Sequence, residues 1–347
     1  MQIHGGDIYE RDYRMDFSVN LNPLGTPEKV LEAACRGVAH AAEYPDVECR
    51  KLREAISRRE AIPRDWILCG NGAAELIFAL VLAVRPRRAL LVAPGFAEYE
   101  QALRAAGCGC EIRFYECRKE NGFQLGEDYL EQITEDLDLL FLCNPNNPTG
   151  LLLPDPLLER IVERCREKHV LLVMDECFNG LLPQGEQVSL KGRLAEMPDL
   201  FLLKAFTKLY AMAGLRLGYG LCSDVRLLER IRQMLQPWNV SIPAQEAGTA
   251  AMEEAEFECR SRAYVAGELD FLKRGFRKLG IRFYDSQANY LFFEGPEDLY
   301  ERCAREGILI RDCSNYRGLG PGYFRTAVKK RAENEELLRV LERVWPR

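Results

Sequence analysis

Lys208 lies in the run Phe206-Thr207-Lys208-Leu209-Tyr210-Ala211-Met212-Ala213-Gly214-Leu215-Arg216, a few residues past the apolar segment 200–203. A lysine set just beyond a buried strand can condense with an aldehyde as a Schiff base, which makes this amine the first candidate for covalent chemistry. The apolar segment has the length of an interior parallel strand and the glycine-containing stretch after Lys208 reads as a turn, so Lys208 is expected at a strand's carboxyl end. Lys204 is the competing amine; it falls within the strand and has no Gly-Leu-Arg at the same distance behind it.

Three other apolar runs, 89–93, 139–143 and 170–174, lead to polar or aromatic groups: Phe96 and Tyr99, Asn147, and Asp175 in turn. Open parallel sheets bind ligands outside the carboxyl ends of their strands, so these endings point to one shared site. Asp175 suits the partner of a protonated ring nitrogen, because a buried carboxylate needs a cationic neighbour; read alone it is more readily a helix N-cap. Asn147, in Asn147-Pro148-Thr149-Gly150, can donate to a ring oxygen or simply shape the turn. Phe96, nearer its strand than Tyr99, is the candidate to stack on a ring face, although aromatic residues near strand ends are more often core. Gly70-Asn71-Gly72-Ala73-Ala74 precedes an apolar helix, so the amides of Gly72, Ala73 and Ala74 would face a phosphate. Thr207 adds a hydroxyl and Arg216 a bidentate cation. Lysine, acid, ring donor, aromatic face and phosphate cradle are together what pyridoxal 5'-phosphate requires.

Lys208 with Gly214-Leu215-Arg216, Asn147-Pro148-Thr149-Gly150 and Asp175-Glu176, in this order and spacing, resembles the class I/II aminotransferase superfamily of pyridoxal phosphate enzymes. The resemblance covers nearly the whole chain. It implies the PLP-dependent transferase fold and a homodimer with shared active sites, in which Tyr44 reaches the neighbouring subunit's cofactor phosphate. Within the superfamily, His4-Gly5-Gly6, the segments 16–25 and 94–99, Thr207-Lys208-Leu209-Tyr210 and the segment 308–316 resemble the threonine-phosphate decarboxylases. Histidinol-phosphate aminotransferases share the core motifs but usually not the His-Gly-Gly start. The resemblance implies a small phosphorylated amino acid as substrate, the alternative being an aminotransferase for histidinol phosphate or another amino acid with 2-oxoglutarate. Arg325 would clamp an α-carboxylate, while Arg311 with His4 and Asn20 would hold a distal phosphate through charge-assisted bonds, and Asn147 would touch the substrate as well. Lys208, or Tyr210 two residues on, would return a proton to the substrate's Cα. Two positions depart from the superfamily pattern: Ala205 stands where a phosphate-binding Ser or Thr is common, and Phe178 where a tyrosine often holds the ring oxygen. His40 and His169 sit in helical stretches and carry no site role.

The elements that must position these groups are legible as a pattern. From about residue 44 to 250, short apolar runs alternate with amphipathic stretches such as 157–168, the signature of an α/β fold with a mostly parallel doubly wound sheet. A helical stretch through 279, then 281–284 and 289–293, begins a smaller α+β domain. We therefore expect a large cofactor-binding domain at 42–242 and a second unit from 1–41 and 243–347, since neither outer piece alone holds enough apolar residues for a core.

With 347 residues and 47% hydrophobic content the chain can bury a large core. The net charge of −6 argues against nucleic acid as a partner. The longest apolar stretch, 76–84, is far short of the roughly 20 residues that cross a bilayer. The start lacks a signal peptide's basic and apolar regions, and the 13 cysteines show neither metal nor disulfide spacing. A cytoplasmic location, free thiols and no metal site are the expectations.

Overall fold

The structure, a computed structural model, describes residues 5, 6, 9 and 13–345. The chain enters through β1 (Met15–Asp16), α1 (Glu28–Val38) and α2 (Arg50–Glu60). Strands and helices then alternate: β2 (Ile67–Gly70), α3 (Gly72–Val84), β3 (Arg88–Ala93), α4 (Glu98–Ala105), β4 (Glu111–Glu116), β5 (Leu139–Cys143), α5 (Asp155–Lys168) and β6 (Leu171–Asp175). Next come β7 (Leu200–Ala205), α6 (Phe206–Leu209), β8 (Gly218–Leu221) and α7 (Val225–Arg232). Two helices, α8 (Ile242–Ala251) and α9 (Ala255–Lys278), lead to β9 (Tyr290–Glu294), α10 (Leu299–Arg305), β10 (Ile308–Leu309), β11 (Arg311–Asp312), β12 (Tyr323–Ala327) and α11 (Arg331–Val344).

The large sheet has the order β2-β8-β7-β6-β5-β3-β4, with β8 antiparallel to both neighbours and the remaining pairs parallel. Every residue of β5 and β6 is buried. Their side chains alternate between two core layers, Leu140, Leu142, Leu172 and Met174 on one face, Leu139, Phe141, Leu171 and Val173 on the other. A sheet covered on both faces needs such unbroken apolar strands, and each fully buried leucine contributes about 1.5–3 kcal/mol. Between them α5 turns one stripe inward, Leu157, Leu158, Ile161, Val162 and Cys165. The helix ends where His169 takes a left-handed conformation at φ 55°. Register then aligns the ends that matter: Cys143 lies beside Asp175, and Asp175 beside Leu203.

A second core forms around the antiparallel sheet β11-β12-β9, from Phe17, Leu272, Phe276, Leu291, Phe293, Phe324 and Leu337 among others. β1 reaches it by pairing in parallel with β10. The division expected at 42 and 242 needs adjusting. Val30 and Ala34 of α1, with Ala244 and Ala247 of α8, join the core of the large sheet, and a cut at 243 would pass through α8. The stretch 281–284 contributes only one bridge, Phe283 to Phe293, and the long helical stretch breaks at residues 252–254. His40 follows the end of α1 rather than lying inside it. Among the described residues, no helix is long and apolar enough to cross a membrane.

Candidate active site

Four strand ends and the amino end of α3 enclose a cavity of about 150 Å³, lined by Ala73, Ala74, Phe96, Asn147, Asp175, Phe178, Thr207, Lys208 and Arg216 among others. Asp175 closes β6 and forms its floor. Its carboxylate accepts a hydrogen bond from the Tyr99 hydroxyl at 2.6 Å and from the Cys177 amide at 3.0 Å, and it is 6% exposed. Among the described residues it has no ion-pair partner, although an isolated buried carboxylate is costly, so the cavity side of this group suits a pyridinium. Tyr99 itself stacks on Phe141 at 4.7 Å, and burial, then the Asp175 charge, pushes its hydroxyl well above its ordinary pKa. Tyr99 is therefore a fixed donor, leaving the cavity wall to Phe96.

Lys208 is not on the strand but in α6, the single helical turn after β7. Its backbone carbonyl accepts from the Asn22 amide at 3.0 Å, and the Asn22 side chain donates to the Leu209 carbonyl and to the Ser261 hydroxyl, each at 2.7 Å. The lysine turn is thus fixed from outside the large sheet. The Lys208 amine lies 5.4 Å from the centre of the Phe178 ring. Burial of the amine, reinforced by the Arg325 guanidinium, pushes its pKa down to about 8. A substantial share of this amine is neutral and nucleophilic near pH 8. Lys204 has the opposite environment. Burial would lower its pKa, but Glu60 at 3.5 Å, Glu176 at 3.6 Å and Glu186 outweigh it and hold the ammonium charged, which disqualifies it as the reactive amine.

The phosphate end of the cavity is shaped by close backbone approach. Gly72 opens α3 at φ +80°, and a Cβ there would lie 2.6 Å from a guanidinium nitrogen of Arg216. A Cβ on Gly218 would lie 2.5 Å from the Ala73 amide nitrogen. Two glycines therefore let Arg216 and β8 press against a helix amino terminus whose first amides have no intrahelical partner. Arg216 is itself left-handed at φ 57°, an uncommon conformation for a residue with a side chain. Ala205 lines the cavity without a hydroxyl, so Thr207, Arg216 and the amides are the groups left for a phosphate. These residues fit pyridoxal phosphate.

Arg311 and Arg325 occupy directly opposed positions on β11 and β12, so their side chains leave the same face of the sheet. Each is 6% exposed. Arg325 donates to the Asn147 side-chain oxygen and, at 3.0 Å, to the Ser18 carbonyl, while its guanidinium sits 5.3 Å from the Tyr290 ring centre. With its oxygen turned to Arg325, Asn147 has its NH₂ end left for a ring oxygen. Arg311 donates to the Asp312 carbonyl at 2.5 Å and to Asn315 Oδ1 at 2.8 Å. Among the described residues, Arg325 Nε and Asn20 Oδ1 are buried without hydrogen-bond partners. Two opposed buried cations and the unpaired Arg325 Nε donor suit an anionic ligand, while the Asn20 oxygen is an acceptor left for a donor.

Other expectations are relocated. Tyr210 does not face this cavity: two residues along a helical turn rotate a side chain by roughly 200°, and its hydroxyl donates to Glu258 at 2.5 Å in a separate small cavity. Tyr44 is 78% exposed, stacked on Trp238 at 4.5 Å and outside the cavity of its own chain. His4 lies outside the described residues. Sequence reasoning gave no role to Tyr290, whose ring backs Arg325 and Phe178 and whose hydroxyl donates to the Asn146 carbonyl at 2.8 Å. Asn22 was equally silent. All 13 cysteines are free thiols, and among the described residues no cluster of three or more metal-binding side chains occurs.

The chain is similar to known proteins over nearly its whole length. The family model described as aminotransferase class I and II matches residues 13–341. The chain belongs to this family. Its members use pyridoxal 5'-phosphate, and the chain is a pyridoxal phosphate-dependent enzyme. A threonine-phosphate decarboxylase of Salmonella typhimurium is 39% identical over 353 residues, covering 98% of this chain and 96% of that protein. Among solved structures, a histidinol-phosphate aminotransferase from Clostridium acetobutylicum superposes with a TM-score of 0.89 at 28% identity, covering 95% of this chain and 99% of that one. An L-threonine-O-3-phosphate decarboxylase from Porphyromonas gingivalis gives 0.82 at 25% identity, with 95% and 99% covered.

Proposed function

We propose that the enzyme decarboxylates L-threonine O-3-phosphate to (R)-1-amino-2-propanol O-phosphate, a step of cobalamin biosynthesis. The observation that carries this reading is the opposed pair Arg311 and Arg325, one guanidinium for each anion of a substrate that has a carboxylate and a phosphate. The 39% identity to a threonine-phosphate decarboxylase points the same way. Bound pyridoxal phosphate supplies an electron sink for charge developing at the substrate's Cα. Asp175 keeps the ring nitrogen protonated, steadied by Tyr99, and Asn147 donates to the ring oxygen. Gly72, Ala73, Ala74, Thr207 and Arg216 hold the cofactor phosphate, and Phe96 covers the ring.

Arg325 holds the carboxylate and Arg311, with Asn20, the distal phosphate. Together they would fix the orientation of the substrate's Cα substituents, and with it which bond to Cα is broken. Lys208 returns a proton to Cα, since Tyr210 is turned away. The functional unit is a homodimer in which Tyr44 completes the partner's phosphate site, and free thiols fit a cytoplasmic setting.

The second reading is an aminotransferase for histidinol phosphate or another amino acid with 2-oxoglutarate, which the TM-score of 0.89 favours. Incubation with threonine phosphate separates the two. CO₂ release without any 2-oxo acid supports the decarboxylase, and amino transfer to 2-oxoglutarate overturns it.

A further inference from the structure

The loop between β11 and β12 devotes three consecutive residues to one task. Asn315 accepts a hydrogen bond from Arg311 Nη2 at 2.8 Å. The Tyr316 ring centre lies 5.4 Å from the Arg311 guanidinium. Arg317 then crosses to the large sheet, where it donates to Glu100 of α4 at 3.1 Å and lies 4.0 Å from the ring centre of Phe114 in β4. Glu100 is shared with Arg104, which holds the carboxylate at 2.6 Å from within the same helix. Below this strap is a cavity of about 320 Å³ whose wall includes Phe96, Tyr99, Asn315 and Tyr316. The strap therefore joins the guanidinium assigned to the distal phosphate with the wall that covers the cofactor ring.

A guanidinium has five donors on a plane, and the direction of that plane decides whether it meets a phosphate with two parallel bonds or one. The Arg311 guanidinium is held by the Asp312 carbonyl of its own strand and by the Tyr316 face. Asn315 adds a hydrogen bond at the far end of the guanidinium, to Nη2. We infer that Asn315 is a positioning residue that sets selectivity for phosphorylated substrates by aiming the Arg311 guanidinium, with Arg317 and Glu100 tethering the loop that carries it. The inference rests on the assignment of Arg311 to the distal phosphate.

Asn315 is exposed, so its replacement removes a hydrogen bond without opening the core. The test uses holoenzyme, whose cofactor already fills the other phosphate site, and inorganic phosphate as the probe in titration calorimetry. Loss of one charge-assisted hydrogen bond predicts that Asn315→Ala weakens phosphate binding about tenfold. Asn315→Asp keeps the shape and the bond to Arg311 but sets a carboxylate beside the anion, and is expected to weaken phosphate at least as much. Unphosphorylated threonine should bind all three proteins within about twofold, and KM for threonine phosphate should rise about tenfold with kcat nearly unchanged. Wild-type phosphate binding by Asn315→Ala, or equal losses for phosphate and threonine, overturns the inference. Calorimetry with phosphate needs no turnover, so failure to release CO₂ would count against the decarboxylase reading and leave this measurement intact.

Discussion

The reactivity of Lys208 is set by what surrounds it rather than by its being a lysine. Burial first, and then the positive charge of Arg325, hold the amine near pKa 8, against about 10.5 for a free lysine. A depressed pKa means the neutral, nucleophilic form is present above about pH 8 and lost below it. Covalent capture of pyridoxal phosphate by cofactor-free protein, followed by absorbance, should accelerate with pH and level off just above that midpoint. Replacing Arg325 with Met removes one cause of the shift, so the midpoint should move upward while Lys208→Ala abolishes the lysine-bound band. A wild-type rate that keeps climbing past pH 10 would mean the amine is not perturbed. Lys204 makes the contrast: the same side chain four residues away is surrounded by Glu60, Glu176 and Glu186 and stays charged.

Among the elements, those built from local signals were legible and those built from distant pairing were not. β5 and β6 announce themselves because a strand covered on both faces must be continuously apolar, and the acid and amide that follow them stand where the apolar signal stops. The opposition of Arg311 and Arg325 depends on a register between two short strands joined by a long loop, and nothing in either strand's composition specifies it. Tyr210 was misassigned for a related reason. Spacing of two means the same face on a strand but nearly opposite faces on a helix, so the helical turn after β7 carries Tyr210 away from Lys208 and towards Glu258. The glycines of the phosphate end give a direct test of element packing. In Gly218→Ala the new Cβ would meet the Ala73 backbone nitrogen at 2.5 Å and the Gly72 carbonyl carbon at 2.8 Å, neither able to move without shifting α3. Destabilisation of about 1–3 kcal/mol, read by denaturant unfolding, should accompany faster cofactor loss. Gly214→Ala, with nothing within 4 Å of its Cβ, is the control and should lie within about 0.5 kcal/mol of wild type.

At the scale of the whole molecule, the two cores divide the labour: the large sheet presents Asp175, Asn147 and Lys208, and the smaller sheet brings the two arginines to them. One proposed contributor remains outside this arrangement. Tyr44 is 78% exposed and Trp238, on which it stacks, is 46% exposed, with Leu31, Val38, Val47 and Met234 also presenting apolar surface. The shared site proposed for Tyr44 needs a two-fold interface that carries each Tyr44 to the other subunit. Complementation tests the sharing directly. Lys208→Ala homodimers lack the amine in both sites, and Tyr44→Ala homodimers should bind cofactor weakly in both. Unfolding and refolding the two together at equal amounts makes half of the dimers mixed. In each mixed dimer, one site has an intact Lys208 and receives Tyr44 from the Lys208→Ala partner. About a quarter of all sites should then regain tight cofactor binding and turnover, above the sum of the separate homodimers. Activity equal to that sum would mean that Tyr44 serves only its own chain or none, and the shared site would have to be abandoned.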